Sequence, residues 1–148
     1  MKVELKIDKN INEAKVVIYS NVINEEIKSL MSKLENYNYN FENLIGTKDD
    51  ITYILEQENI ESFFTEGGKV YARIGNAKFN IKRKLYELEE NFKNTSFVRI
   101  SNSEIVNFNK VKSLDVQGSL SIMLNFKSGE YTYVSRRYIK KIKDFLKI

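Results

Sequence analysis

FVRISNSEIVNFNKVKSL (residues 97–114) and GSLSIMLNFKSGEYTYVSRRYIKKIKDFL (residues 118–146) are the two segments that determine the fold. In the second segment, large apolar residues occupy every other position from Leu120 to Phe126, which is typical of a strand that buries one face. The strand-like LSIMLNF and EYTYVS are joined by a short Lys-Ser-Gly connection. SRRYIKKIKDFLKI, at the end of the chain, has apolar residues at helical spacing, and Ser135 is placed to cap that helix.

Upstream of these segments, short strand-like stretches follow one another. ITYIL, IESFFTE, KVYARIG and KFNI are rich in β-branched and aromatic residues. Gly67-Gly68 and Gly75-Asn76 lie where tight turns need a positive φ, so we expect these stretches to pair antiparallel. KRKLYELEENF (residues 82–92) is predicted to form a short helix. The predicted fold class is mainly β with short helices, an α+β fold.

The first 45 residues predict a small β-β-α unit. MKVELKID alternates apolar and charged residues as a strand does, KVVIYS resembles a neighbouring strand, and Asn24 is placed to cap a helix with an apolar stripe. The polar run NYNYNFEN and Gly46 suggest a boundary, which divides the chain into residues 1–45 and residues 46–148. About 45 residues cannot bury a core alone, so we expect this unit to dimerise, contact a regulator or cover a sheet edge.

The composition excludes several classes of enzyme. The chain has no His and no Cys, so a Ser-His-Asp triad, a thiol nucleophile and a typical zinc site are impossible. Carboxylate chemistry stays open in principle, for instance through Glu87 with Glu104, but no local motif indicates it. We therefore expect neither enzymatic activity nor a cofactor, and no small-molecule substrate. The charged amino-terminal segment lacks the apolar run of a signal peptide, and a cytoplasmic location is expected.

The charge is divided unevenly along the chain. The total is +4, but residues 1–74 carry a net charge of −4 and residues 75–148 carry +8. The basic residues concentrate in residues 82–84 and in the last 13 residues. This distribution suggests that the carboxy-terminal half contacts a polyanion, although ordinary surface lysines would give a similar count.

Two short segments combine amide, hydroxyl and guanidinium groups. Ser101-Asn102-Ser103 and Ser135-Arg136-Arg137 offer an amide for adenine, a guanidinium for guanine and hydroxyls for phosphates. A purely structural interpretation is equally available for Asn102 and for the nearby Arg99. Asn102 could cap a short helix, and Arg99 could form a partly buried ion pair.

Taken together, these segments resemble the LytTR family of DNA-binding domains. The resemblance covers roughly residues 48–146 and also includes KFNIKRKLYELEENF. The positions that carry it are Phe97, Arg99, Ile100, Ser103, Val106, Asn107, Val111, Gly118, Leu124, Gly129, Val134, Ser135, Arg136, Arg137 and Tyr138.

The resemblance implies elongated antiparallel β-sheets that bind duplex DNA through loops. By matching position, it implies that Asn102 and Arg137 contact bases. It further implies phosphate contacts by four residues, which are Arg99, Ser103, Arg136 and Lys140. A third contact would come from residues 66–69, where some members have a histidine and this chain offers Lys69 beside the repulsive Glu66.

The resemblance also implies partners. Residues 1–43 are too few for a receiver domain, which indicates the stand-alone type, a transcription regulator that binds promoter repeats as a homodimer. Such regulators are commonly paired with a small membrane protein that restrains them. The alternative is a protein-interaction module that has lost DNA binding.

Overall fold

A computed structural model describes residues 2, 4–12, 15–37, 44–118 and 120–148. The three α-helices of this part of the chain are α1 (Glu25–Tyr37), α2 (Leu85–Asn91) and α3 (Ile139–Leu146). Its ten strands are β1 (Leu44–Lys48), β2 (Ile51–Leu55), β3 (Ser62–Glu66), β4 (Lys69–Ile74), β5 (Ala77–Ile81), β6 (Phe97–Ser101), β7 (Glu104–Asn107), β8 (Val111–Gln117), β9 (Ser121–Phe126) and β10 (Tyr131–Val134).

The strands form two antiparallel sheets. One sheet has seven strands in the order β2-β1-β5-β4-β3-β7-β6, and the other has three in the order β10-β9-β8. Gly67, Gly68 and Gly75 have positive φ values of 56°, 76° and 58° in the two predicted hairpin turns. The prediction of a mainly β fold with short helices and antiparallel pairing is therefore confirmed.

Strand β7 separates two hydrophobic cores. All four of its residues are buried, because successive side chains point to opposite faces and both faces are covered. Ile105 packs in the core of the seven-stranded sheet and α2, whereas Val106 packs in the core formed with the three-stranded sheet and α3. Ile100 of β6 belongs to this second core and is fully buried.

The seven-stranded sheet begins two residues before the expected boundary at residue 46. Strand β1 was not predicted, because the glycine at its centre suggests a turn. Gly46 is instead required for packing, since a Cβ atom there would lie 2.7 Å from both Leu55 Cδ1 and Phe79 Cβ.

The amino-terminal β-β-α prediction is only partly correct. Helix α1 forms as expected, and the Asn24 side chain accepts a hydrogen bond of 2.9 Å from the Ile27 backbone N–H. The two predicted strands are wrong for the residues that the structure describes, since residues 4–8 and 15–20 adopt no strand. The apolar side chains of Leu5 and Ile7 are exposed there. An alternating pattern forms a strand only when a neighbour supplies backbone hydrogen bonds; Val3 of this pattern lies outside the described residues.

The ends of the other two helices also differ from the predictions. Helix α2 starts at Leu85, because the Glu87 carboxylate accepts a 2.8 Å hydrogen bond from the Lys84 backbone N–H. The basic residues 82–84 thus precede the helix. Ser135 makes no side-chain capping bond, and a 3-10 turn at Arg136–Tyr138 comes before α3.

We expect Ile100→Ala to lower the free energy of unfolding by about 2–5 kcal/mol, because it leaves a cavity in the second core. Urea denaturation followed by circular dichroism measures this difference. Ile54→Ala is the matched control: Ile54 is 69% exposed, and its truncation should change stability by less than about 0.5 kcal/mol. Equal losses for the two variants would contradict the assignment of Ile100 to a packed core.

Candidate nucleic-acid interface

Several strand ends and turns meet at one end of the seven-stranded sheet. Strand β3 ends and β4 begins at this end, with Glu66 opposite Lys69. The turn between β6 and β7 lies beside them, since the Thr65 backbone N–H donates a 2.9 Å hydrogen bond to the Ser103 carbonyl. The antiparallel register thus brings the 66–69 loop next to the Ser-Asn-Ser segment.

The Ser-Arg-Arg segment joins the same end of the sheet. The Ser135 backbone N–H donates a 3.0 Å hydrogen bond to the Ile100 carbonyl. The Tyr138 hydroxyl, one residue after Arg137, donates a 3.2 Å hydrogen bond to Asn102 Oδ1. Asn102 and Arg137 are both exposed. The structure therefore brings the two sequence-predicted segments together, although Ser101 and Ser135 are 34 positions apart in the sequence.

Asn102 lies in a tight turn and not at the start of a helix. The helix-cap interpretation is wrong, since the residues after the turn form strand β7. The Ser103 backbone N–H donates a 3.2 Å hydrogen bond to Ser101 Oγ, and this bond stabilises the turn. Because Tyr138 donates to the amide oxygen of Asn102, the amide NH₂ group is oriented to donate elsewhere.

Arg99 is engaged with protein groups. Its guanidinium donates to the Ser101 carbonyl at 2.8 Å, to the Asn102 carbonyl at 2.6 Å and to the Glu89 carboxylate at 2.7 Å. Its side chain is only 15% exposed. These contacts agree with the interpretation of Arg99 as a partly buried ion-pair residue.

Four other candidate residues, Lys69, Ser103, Arg136 and Lys140, are exposed. The acidic neighbour of Lys69, Glu66, forms an ion pair with Lys78. A hydrogen bond from Lys78 to Glu66 raises the pKa of Lys78. The negative charge of Glu66 is thus compensated within the protein.

Sequence reasoning missed the location of Lys82. Ile81, the last residue of β5, pairs with Val70 of β4, so Lys82 follows β5 at the end where Lys69 begins β4. Lys82 is exposed. The basic cluster at residues 82–84 was visible in the sequence, but only the strand register brings it to the same end as the loops.

The carboxylates of the enzyme alternative have structural partners. Glu104 is buried, and it accepts a hydrogen bond from the Thr132 hydroxyl and lies 3.8 Å from the Arg73 guanidinium. Glu87 caps α2. Within the described residues there is no cluster of three or more acidic side chains that could bind a metal ion. No described helix has the length and apolarity needed to cross a membrane.

Residues 50–147 match the sequence profile of the family described as the LytTr DNA-binding domain. This match spans more than half of the chain, and the chain therefore belongs to the LytTR family. It is a DNA-binding transcription regulator.

The chain is similar over its whole length to staphylococcal proteins. It is 33% identical to an uncharacterized HTH-type transcriptional regulator of Staphylococcus aureus strain N315 and 32% identical to one of strain MRSA252, and both alignments cover 100% of this chain and 99% of the relative. A solved LytTr DNA-binding domain from Bacillus cereus has the same fold, with a TM-score of 0.68 and 21% identity. That alignment covers 72% of this chain and 99% of the other.

The relatives' names mention a helix-turn-helix, but the architecture here is different. Helix α2 lies between β5 and β6, and α3 follows β10. The part of the chain that the structure describes thus contains no two α-helices that are consecutive in the element order. The exposed candidate groups lie on turns, at strand ends and, in the case of Lys140, in the first turn of α3.

We expect Tyr138→Phe to weaken binding to preferred DNA by about two- to tenfold, the value of one hydrogen bond. The ring and its packing remain, but Asn102 Oδ1 loses its donor. Fluorescence anisotropy with DNA selected by the wild-type chain measures the change. Tyr131→Phe, which alters an exposed tyrosine of β10, should have no effect; an effect equal to that of Tyr138→Phe would contradict a specific role for the bond.

Proposed function

We propose that this regulator recognises specific duplex DNA through the turns at one end of its seven-stranded sheet, with Asn102 and Arg137 contacting bases. The observation that carries the proposal is the hydrogen bond between Tyr138 and Asn102, which brings the amide next to the Ser-Arg-Arg segment. Both side chains are exposed.

Asn102 and Arg137 have different chemical preferences. An asparagine amide pairs with adenine through one donor and one acceptor, and an arginine guanidinium donates twice to guanine. The oxygen of Asn102 has two lone pairs, so it can accept from Tyr138 and from a base at the same time. Each such contact discriminates by about 1–3 kcal/mol against the wrong base.

Phosphate contacts would come from the residues around these two. Lys69, Ser103, Arg136 and Lys140 were indicated by the family resemblance, and Lys82 joins them because of its register. Four inter-strand spacings separate β5 from β6, a distance of roughly 19 Å. That distance corresponds to about five to six base pairs of duplex. Lys82, which follows β5, and Asn102, which follows β6, can therefore reach the same DNA segment.

Two protomers on repeated half-sites would extend this contact. Helix α1 supports a role for residues 1–45 in dimerisation or in docking a regulator, since Ile27, Leu30 and Leu34 form a half-buried stripe along it. We propose a homodimer on promoter repeats, a small membrane protein as the regulator and a cytoplasmic location. The alternative of a module without DNA binding depended on Glu66, and its pairing with Lys78 weakens that argument.

Arg137→Ala and Asn102→Ala should each reduce the affinity for preferred DNA by about five- to one-hundredfold, and each should relax the preference at one base position. Selection from random duplex DNA, followed by anisotropy on the selected sequences, measures both effects. The affinity for a scrambled duplex should fall less for Asn102→Ala than for Arg137→Ala, because the amide of Asn102 carries no charge that attracts phosphates. Unchanged preference in both variants would refute the assignment of the base contacts.

We expect Lys82→Gln to weaken binding equally for preferred and scrambled duplexes, and to reduce the slope of log K against log salt concentration by about one unit. Lys93→Gln is the matched control, since Lys93 is also exposed but follows α2 at the opposite end of the helix from Lys82. A change of slope for Lys93→Gln alone would contradict this placement of the DNA.

A further inference from the structure

Glu89 on α2 contacts two basic residues from different elements. Its Oε2 accepts a 2.7 Å hydrogen bond from the Arg99 guanidinium on β6, and its Oε1 lies 3.9 Å from Lys141 Nζ on α3. Arg99 is nearly buried, whereas Glu89 is 44% exposed. One carboxylate therefore links α2 to the strand before the Asn102 turn and to the helix after the Ser-Arg-Arg segment.

These contacts continue into a closed ring of five residues. Arg99 donates to the Asn102 carbonyl, Asn102 accepts from Tyr138, and Lys141 Nζ lies 5.7 Å from the centre of the Tyr138 ring. The ion pair between Lys141 and Glu89 closes the ring. Each base-contacting segment is thus attached to this ring, one through the backbone of Asn102 and the other through Tyr138.

The location of this carboxylate is unusual for a DNA-binding surface. A negative charge near phosphates lowers affinity for every DNA sequence, so electrostatics alone would favour its removal. Arg99, however, can fix the turn only while its guanidinium is oriented, and the Glu89 bond is the contact that comes from outside the turn. Without the hydrogen bond to Glu89, the Arg99 guanidinium would be able to turn toward a DNA phosphate. A phosphate contact favours binding without sequence preference.

We propose that Glu89 is a positioning residue that gives this protein its sequence preference, by orienting Arg99 under the Asn102 turn and Lys141 beside Tyr138. This inference rests on the proposed function. It names an acidic residue, outside the DNA contacts, as a determinant of specificity.

The experiment compares two glutamates that are neighbours on α2. Glu89→Ala, Glu89→Gln and Glu90→Ala all remove one negative charge, and Glu90 is also exposed. The affinity of each variant is measured by anisotropy for duplex DNA selected by the wild-type chain and for a scrambled duplex of equal length. Urea denaturation verifies that each variant is folded.

We expect Glu89→Ala to lower the ratio of specific to non-specific affinity by about tenfold, the value of a charge-assisted hydrogen bond, while affinity for scrambled DNA stays equal or rises. Glu89→Gln should retain most of the ratio, because its amide oxygen still accepts from Arg99. Glu90→Ala should leave the ratio unchanged. An unchanged ratio in Glu89→Ala, or an equal loss in Glu90→Ala, would overturn the inference.

Arg99→Lys provides a second test, which does not depend on the folding of Glu89→Ala. It preserves the charge but cannot donate to three separated acceptors, so the ratio should again fall by about tenfold. If Arg99→Lys retained the wild-type ratio of specific to non-specific affinity, the inference would be overturned, but the proposed function would not. A wild-type chain without any sequence preference would instead overturn the proposed function, and this inference with it.

Discussion

The burial of β7 on both of its faces is the constraint on which the rest of the structure depends. A strand in a sheet that is covered on one side buries only one face, but here Ile105 and Val106 pack in different cores. The two sheets therefore cannot move apart without exposing this strand to water. The turn that carries Asn102 begins directly before β7, so its backbone position is fixed by both cores.

Two buried polar side chains of β7 strengthen this arrangement, because both form hydrogen bonds with other parts of the chain. The Asn107 side chain, which is 2% exposed, donates to the Ile60 carbonyl at 2.9 Å and accepts from Ser96 Oγ at 2.7 Å. Glu104, at the other end of β7, accepts from Thr132 of the second sheet. Both ends of the strand are thus attached to neighbouring elements by directional bonds, which specify its register.

The sequence predicted most of the sheet, because alternating apolar residues and glycine turns depend on local geometry. The sequence-based prediction failed where contacts with another element determine the local structure. Gly46 resembles a turn residue, yet the packing of Phe79 requires a glycine within a strand. The amino-terminal alternation predicted strands that form no ladder among the described residues. The two segments of the candidate site were predicted, but the contact of Arg99 with Glu89 depends on helix α2, and spacing alone cannot reveal a contact between residues ten positions apart.

The placement of the candidate base-contacting side chains on turns also bears on how this protein can change over time. Asn102 and Arg137 are exposed, so neither contributes volume to a core. Substitutions at these two positions would leave the packing of both sheets intact. A duplicated gene could thus acquire a new operator through few mutations, while the scaffold that supports the turns stays under a separate, stricter selection.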